Sequence, residues 1–215
     1  MEASKIYFLE GNIGAAKSTV GAALAETGLA SFVPEPVRLW QTKFDENILD
    51  LFYGDSKRWA FAFQLAAFTT RAKTYAEIVE LADHSTIFLE RSIYSDRRVF
   101  AESLLEQGLM TVTEFQIYEA MWEWTAARWC VVPDKIIYIR TPAEVCLERI
   151  EARARGEETG ITLDYLLHLE AKHDDWLLEN KSVIIAPGET RIDPYELLAK
   201  LGIEGGGYAD GVTEA

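Results

Sequence analysis

The sequence is poor in cysteine and histidine and contains no long apolar run. Its two cysteines, Cys130 and Cys146, lie in apolar segments, which indicates reduced core thiols rather than a disulfide or a metal site. The histidines, His84, His168 and His173, lack the spacing of metal ligands, so we interpret them as solvated or internally hydrogen-bonded. There is no basic leader and no run of 18 apolar residues, so we expect a cytoplasmic protein without a membrane partner.

Positive charge is also scarce. The chain has 21 Lys and Arg against 35 Asp and Glu, a formal net charge of −14. Binding of a nucleic-acid polymer needs clustered cations, so we expect no such partner, although a small phosphorylated ligand could be held by a few local basic residues. The length of 215 residues, 49% of them hydrophobic, predicts one domain over residues 1–203. The glycine-rich, acidic segment 204–215 predicts a disordered tail.

Short apolar runs rich in β-formers alternate along the chain with longer helical patterns. The predicted strands are Lys5–Leu9, Ser31–Val33, Thr86–Leu89, Lys135–Ile139 and Ser182–Ile185. The predicted helices are Lys17–Thr27, Lys57–Ala82, Ile93–Glu106, Val112–Trp129, Pro142–Arg153 and Leu163–Leu178. This alternation predicts an α/β fold, with a five-stranded parallel sheet flanked by helices on both faces. Ligands of such sheets bind beyond the carboxyl ends of the strands, so we expect the chemistry after Leu9, Val33 and Leu89.

The segment after the first strand, GNIGAAKST, resembles the phosphate-binding loop G-x-x-x-x-G-K-[ST], except that Ala16 replaces the second glycine. Its backbone N–H groups can surround a phosphate, Lys17 can reach the β- and γ-phosphates, and Ser18 can bind Mg²⁺. The predicted nucleotide-binding residues are Asn12, Ile13, Gly14, Ala15, Ala16, Lys17, Ser18 and Thr19. If residue 16 needs a positive φ, its Cβ costs roughly 1–2 kcal/mol, so we expect a weakened loop rather than an abolished one.

Charged residues follow the second and third strands. In PEPVRLW, Glu35 lies between Pro34 and Pro36, whose rings restrict the backbone and suit a base that must be held in place. In ERSIYSDRRVF, Glu90 can orient Mg²⁺ and Arg91 can steady an attacking oxygen. A carboxylate at a strand end can also be a helix cap or a surface charge. Together the two segments predict phosphoryl-transfer chemistry.

A basic run, ERIEARARGEETG, is unusual in so acidic a chain. Arg149 and Arg153 lie four residues apart on one face of a predicted helix, and Arg155 follows. One interpretation is a solvated helix whose arginines pair with Glu148, Glu151 and Glu157. The other is an arginine-rich lid that closes over a transferring phosphoryl group.

Taken together, these segments resemble the deoxyribonucleoside kinase family, which includes deoxycytidine, deoxyguanosine and mitochondrial thymidine kinases. The matching segments, in family order over about residues 4–180, are EGNIGAAKST, PEPVRLW, RWAFAFQ, ERSIYSDRRVF, IYIRTPAEVCLERIEARARGEE and HDDWL. The resemblance implies a P-loop kinase fold with an arginine-rich lid. It also implies transfer of phosphate from ATP or another nucleoside triphosphate, with Mg²⁺, to a deoxynucleoside. Ala16 departs from the family's glycine.

The resemblance also implies roles for single residues. Glu35 would take the proton of the 5′-hydroxyl, Arg91 would hold that base and the 5′-oxygen, and Glu90 would accompany Ser18 at Mg²⁺. The further implied residues are Gln64 at the nucleobase edge, Tyr53 and Glu158 at the 3′-hydroxyl, Trp40, Phe63 and Phe100 around the base, and Arg149, Arg153 and Arg155 in the lid.

The base preference is predicted from Arg71 and Asp96, a pair that in this family is typical of deoxycytidine and purine kinases. An aspartate held by arginine can accept a hydrogen bond from an exocyclic amino group, which thymine lacks. The small side chain of Ala67 leaves space for a purine. We therefore expect deoxyadenosine, deoxyguanosine or deoxycytidine as substrates and thymidine as a poor one. A purely structural Arg71–Asp96 salt bridge is the alternative.

The resemblance implies a homodimer as well. The segment YEAMWEWTAARW has more large apolar side chains than one core face needs, namely Tyr118, Met121, Trp122, Trp124 and Trp129. Two other functions stay open at this point. One is a nucleoside monophosphate kinase of the thymidylate kinase type. The other is a kinase-like protein impaired by Ala16, whether that residue is natural or engineered.

Overall fold

The computed structural model of the protein describes residues 4–81, 85–129 and 131–204. In this part the strands are β1 (Lys5–Glu10), β2 (Ser31–Val33), β3 (Thr86–Glu90), β4 (Lys135–Arg140) and β5 (Val183–Pro187). They form a parallel sheet in the order β2-β3-β1-β4-β5, with Phe8 beside Leu89 and Leu9 beside Ile137. The predicted α/β sheet is confirmed. Apart from Glu204, the predicted tail lies outside the described residues, and the domain limits of 1–203 stay a prediction.

The helices agree with the prediction where the sequence pattern is long. They are α1 (Lys17–Glu26), α2 (Val37–Thr42), α3 (Ile48–Gly54), α4 (Ser56–Leu81), α5 (Ile93–Ser95), α6 (Glu102–Glu106), α7 (Val112–Trp129), α8 (Ala143–Arg153), α9 (Leu163–Leu177) and α10 (Pro194–Lys200). Residue 82, the predicted end of α4, lies outside the described residues. Prolines and end caps account for small differences, since Pro142 caps α8 and Thr27 ends α1.

Three short helices were not predicted. Helix α2 starts after Pro36, α3 starts where the Asn47 side chain accepts hydrogen bonds from the backbone N–H groups of Leu49 and Asp50, and α10 is capped by Asp193. The predicted helical stretch Ile93–Glu106 is helical over its whole length, but a π-helical turn at Asp96–Ala101 separates α5 from α6. Elements of six or seven residues are too short to show a helical period.

The core lies on both faces of the sheet, because strand side chains alternate between them. Tyr7 and Leu9 pack with α1, α8, α9 and α10, whereas Phe8 packs against α4 and α7. Cys146, in the first of these clusters, is a buried free thiol, as predicted, while Cys130 and His84 lie outside the described residues. A third cluster, built largely from α2, α3 and α4, contains Trp40, Phe52 and Phe63.

In the part of the chain that the structure describes, we find no helix long and apolar enough to cross a bilayer.

Candidate active site

A cavity of about 280 Å³ opens at the carboxyl ends of β1, β2 and β3. Seventeen of the predicted site residues line it: Ile13, Gly14, Lys17, Ser18, Glu35, Trp40, Tyr53, Phe63, Gln64, Arg71, Glu90, Arg91, Asp96, Phe100, Arg153, Arg155 and Glu158. The other five predicted site residues are not among the described residues that line the cavity. They are Asn12, Ala15, Ala16, Thr19 and Arg149. The structure thus brings together residues from six sequence segments.

The loop between β1 and α1 follows a path that depends on close backbone contacts. A Cβ added to Gly11 would lie 2.6 Å from the carbonyl oxygen of Ile139, and one added to Gly14 would lie 2.5 Å from that of Cys146. Ala16 caps α1 in the left-handed region, with φ 72° and ψ 22°. An L side chain there costs roughly 1–2 kcal/mol relative to glycine, so the loop holds strain at the position where the motif has glycine.

Lys17 is buried and donates to its own loop, from Nζ to the carbonyl oxygens of Asn12 at 2.7 Å and Gly11 at 3.2 Å. Burial, followed by the positive charge of Arg91, lowers the pKa of Lys17 to about 8. The loop is anchored in turn by Asn12, whose amide donates to the carbonyl of Leu166 on α9 at 2.8 Å. The lysine is therefore placed for an anion but satisfied by backbone carbonyls.

Ser18 and Glu90 meet between the loop and β3. The Ser18 hydroxyl lies 2.8 Å from Oε1 and 3.0 Å from Oε2 of Glu90, and the Glu35 backbone N–H donates to Oε2 at 3.3 Å. A hydroxyl and a carboxylate are the hard oxygen ligands that Mg²⁺ prefers. Within residues 4–81, 85–129 and 131–204 no group of three or more His, Cys, Asp or Glu side chains could hold a metal. These two residues fit a cation whose other ligands are phosphate oxygens.

Two arginines hold the Glu35 carboxylate. Arg71 Nη2 donates to Glu35 Oε1 at 2.8 Å, and Arg91 Nε lies 3.2 Å from the same oxygen. Burial alone would raise the pKa of Glu35, but the positive charges of Arg91 and Arg71 outweigh burial and hold the pKa at about 2. The carboxylate is therefore ionised and fixed in orientation.

Arg71 contacts several of the charged groups of the site at once, and the sequence did not indicate how many groups it holds. Its guanidinium donates from Nε to Asp96 Oδ2 at 2.8 Å, from Nη2 to Asp96 Oδ1 at 3.2 Å and from Nη1 to the Glu90 carbonyl at 3.1 Å. Burial raises the pKa of Asp96 against the opposing effect of this arginine. The predicted Arg71–Asp96 pair is present, and its link to Glu35 was missed because these residues are far apart in sequence.

Aromatic rings enclose the deep end of the cavity. Trp40 meets Phe63 edge-on with ring centroids 5.4 Å apart, and Phe52 stacks on Phe63 at 4.7 Å. Phe52 was not predicted, since its only signal was an apolar position within a short helix. Gln64 is buried beside them, and its Oε1 has no partner among the described residues, which leaves a carbonyl acceptor available to a ligand.

The three arginines of the basic run contact two different parts of the molecule. Arg153 Nη2 pairs with Glu158 Oε2 at 2.6 Å, and Arg155 Nη1 pairs with Glu158 Oε1 at 2.9 Å. Arg149 instead donates to the carbonyl of Gly188 at 2.8 Å. The interpretation in which these arginines pair with Glu148, Glu151 and Glu157 does not match these contacts. Two of the three arginines reach the cavity, tied to a carboxylate that lines it.

Comparison with known proteins identifies the family to which the chain is similar. The family model described as deoxynucleoside kinase matches residues 8–196. The chain is 39% identical to the probable deoxycytidine kinase of fowlpox virus, over 84% of this chain and 74% of that protein. It is 37% identical to deoxycytidine kinase 2 of Gallus gallus, over 80% of this chain and 73% of that protein. It is also 34% identical to the mitochondrial deoxyguanosine kinase of Xenopus laevis, over 82% of this chain and 74% of that protein.

Proposed function

This chain belongs to the deoxynucleoside kinase family, as its motifs indicated, and we propose that it transfers the γ-phosphate of ATP, or of another nucleoside triphosphate, to the 5′-hydroxyl of a deoxynucleoside. Such a reaction serves nucleotide salvage. The observation that carries the proposal is that the fixed carboxylate of Glu35 shares one cavity with Lys17 and Ser18 of the phosphate loop. A proton acceptor and a phosphate site in one cavity are what phosphoryl transfer to an alcohol requires.

On the acceptor side, Glu35 accepts the hydrogen bond of the 5′-hydroxyl and takes its proton. With a pKa held at about 2 the carboxylate is a weak base, which suits a late proton transfer in a loose transition state. Orientation is then the larger contribution, and Arg71 and Arg91 supply it. Tyr53 and Glu158 line the cavity and hold the 3′-hydroxyl in this proposal.

On the donor side, the loop N–H groups and Lys17 bind the triphosphate. Ser18 and Glu90 would hold Mg²⁺, which supplies charge neutralisation on the phosphate oxygens when it is bound. Lys17 must exchange the carbonyls of Gly11 and Asn12 for phosphate oxygens. Arg153 and Arg155 act as the lid once they leave Glu158.

The base preference follows from two acceptors at the deep end of the cavity. Gln64 Oε1 has no partner in the described part of the chain, and Asp96 is a buried carboxylate held by Arg71. Adenine, guanine and cytosine carry an exocyclic amino group that can donate to such acceptors, and thymine carries a methyl group in the corresponding region. Ala67 leaves room for a purine. We therefore assign amino-bearing deoxynucleosides, with a preference for purines.

We also propose a homodimer joined at a groove between α4 and α7, lined by Phe68, Thr69, Ala72, Lys73, Ala76, Glu77, Ala120, Met121, Trp124 and Thr125. Met121 is 43% exposed and Trp124 58% exposed. Tyr118 is buried instead, and Trp122 is half-buried, with its indole N–H donating to the Ile93 carbonyl. The Trp129 side chain lies outside the description. Apolar side chains this exposed favour a helix-to-helix interface.

Light scattering at micromolar concentration tests the dimer. Twice the chain mass of 24.3 kDa supports it, and a single chain mass contradicts it. The cytoplasmic location stays a prediction.

The function is tested by giving the protein ATP and Mg²⁺ with each deoxynucleoside and, separately, with each deoxynucleoside 5′-monophosphate. We expect deoxynucleosides to yield 5′-monophosphates and the monophosphates to stay unphosphorylated. A Lys17→Ala variant, which removes the loop cation, is the control for contaminating kinases. Phosphorylation of monophosphates alone would favour a monophosphate kinase. Absence of any turnover would favour an impaired protein.

A further inference from the structure

His173 lies behind the cavity, on α9, and belongs to none of the groups that the proposed reaction uses. It is fully buried, and its Nδ1 lies 2.7 Å from the Leu169 carbonyl oxygen, to which it donates. Its Nε2 has no partner among the described residues. Burial, followed by the nearby charge of Arg91, lowers the pKa of His173 to about 3, so the ring is neutral and does not act as an acid or a base.

The His173 ring is part of a continuous stack that leads into the site. On one side it is parallel to the Tyr138 ring, with centroids 6.0 Å apart and an interplanar angle of 8°. It also meets the Phe100 ring edge-on, with centroids 6.5 Å apart and an interplanar angle of 87°. The guanidinium carbon of Arg91 lies 4.6 Å from the centroid of the Phe100 ring. His173 is therefore one aromatic ring away from an arginine that holds Glu35.

Arg91 needs such support. Its backbone is in the left-handed region with φ 63°, and its Nη1 is buried with no partner in the described part of the chain. Its guanidinium is held by the pair with Glu35 at 3.2 Å and by the face of the Phe100 ring. Phe100 itself is only half-buried and lines the cavity, so its position depends on what packs behind it.

We propose that His173 is a positioning residue that fixes the Phe100 ring and, through it, the Arg91 guanidinium against Glu35. The proposal rests on the proposed kinase reaction, in which Arg91 and Glu35 orient the attacking 5′-oxygen. The hydrogen bond to Leu169 fixes the rotamer of His173, and the stack on Tyr138 fixes the plane of its ring.

The effect of replacing His173 on the stability of the fold distinguishes this proposal from a merely structural role. A buried ring nitrogen without a partner is unfavourable, and replacing it with an apolar group of similar size is neutral or stabilising. The unpartnered Nε2 of His173 therefore reduces stability locally, which is expected of a residue kept for function rather than for packing. Activity and stability should then respond to its replacement in opposite directions.

The test uses His173→Leu, which removes the ring, and His173→Phe, which restores a ring without the nitrogen atoms. For His173→Leu we expect kcat about 10-fold lower, since small displacements of orienting groups are costly, together with an unchanged KM for ATP and an unchanged or higher Tm. His173→Phe should recover most of the lost kcat. The matched control is Leu198→Ala on α10, a buried residue outside the stack and the cavity, which should lower Tm and leave kcat unchanged.

A double-mutant cycle on kcat with Phe100→Leu completes the test. Coupling through Phe100 requires that His173→Leu add little to the loss caused by Phe100→Leu alone. The inference would be overturned by additive losses, or by a kcat of His173→Leu equal to that of the unmodified protein. The proposed function would stand in either case, since the unmodified protein would still be an active kinase. If the unmodified protein transferred no phosphate, the proposed function would fail, and the inference with it.

Discussion

The cavity has an acceptor half, which contains Glu35, Arg71 and Asp96, and a donor half, which contains the phosphate loop with Lys17. The two halves differ in which partners their charged groups have. In the acceptor half, Glu35, Arg71 and Asp96 pair with one another, and no ligand is needed to bring them together. In the donor half, Lys17 donates to carbonyls of its own loop, and Arg153 and Arg155 pair with Glu158, the carboxylate that we propose for the 3′-hydroxyl. The acceptor half is therefore preorganised, whereas the donor half must exchange partners when a triphosphate binds.

This difference separates two kinds of contribution to the reaction. Preorganised groups cost no rearrangement when charge develops, so their removal should appear mainly in kcat. Groups that must leave local partners lose part of their binding energy to that exchange, so changes there should appear mainly in the KM of the donor.

The largest effect is expected for Glu35→Gln. The amide is nearly isosteric with the carboxylate but cannot take the 5′-hydroxyl proton, so we expect kcat to fall about 10²–10⁴-fold while nucleoside affinity changes little. Steady-state kinetics and calorimetric titration of the nucleoside check both parts. A variant that kept most of its turnover would show that Glu35 is not the base. The preorganised contacts around Glu35 would then have no role in the reaction.

An effect of pH should distinguish the two halves. Because the pKa of Lys17 in the free protein is about 8, its ammonium loses the proton as the pH rises through that value, and kcat/KM for ATP should then fall about 10-fold per pH unit. Nucleoside affinity should stay flat from pH 6 to pH 9, since Glu35, with a pKa of about 2, is ionised throughout. In the matched variant Lys17→Arg, whose side chain stays charged, the decline should disappear. A decline that persisted there would assign it to another group.

The smallest effect is expected for Ala16→Gly. Removal of the Cβ relieves the left-handed strain in the loop, so we expect the KM for ATP to fall about threefold to tenfold with nucleoside affinity unchanged. The Tm should move little, because glycine also gives the unfolded chain more freedom, at about 0.4–1 kcal/mol. An equal or higher KM in Ala16→Gly would show that the loop has adapted to alanine.

Much of the acceptor half could be predicted from the sequence, because its charged residues follow strands whose ends meet at one edge of the sheet. Glu35 and Arg91 were found in this way, from the ends of β2 and β3. The long helices were found from their periodicity. Ala16 was identified by a departure from a motif, and the structure gives it the positive φ that made the departure matter.

Other features depend on contacts that sequence spacing does not encode. Arg71 lies in the middle of a 26-residue helix and reaches three residues on two other segments, namely Glu35, Asp96 and Glu90. Phe52 lies on a seven-residue helix with too few turns to show a face, and the π-helical turn at Asp96–Ala101 leaves no mark in the apolar pattern. Arg149 departs from its predicted neighbours because its partner, the carbonyl of Gly188, is 39 residues away.

The central claim, that a preorganised acceptor half selects deoxynucleosides with an amino-bearing base, is tested most directly by kcat/KM for the four deoxynucleosides at saturating ATP. We expect thymidine to be about 10²-fold or more below the best of deoxyadenosine, deoxyguanosine and deoxycytidine, because its methyl group cannot donate to the Asp96 carboxylate that Arg71 holds. Asp96→Asn, which offers an amide N–H in place of a charge, should narrow that ratio. Thymidine turning over as well as the other three would contradict the claim.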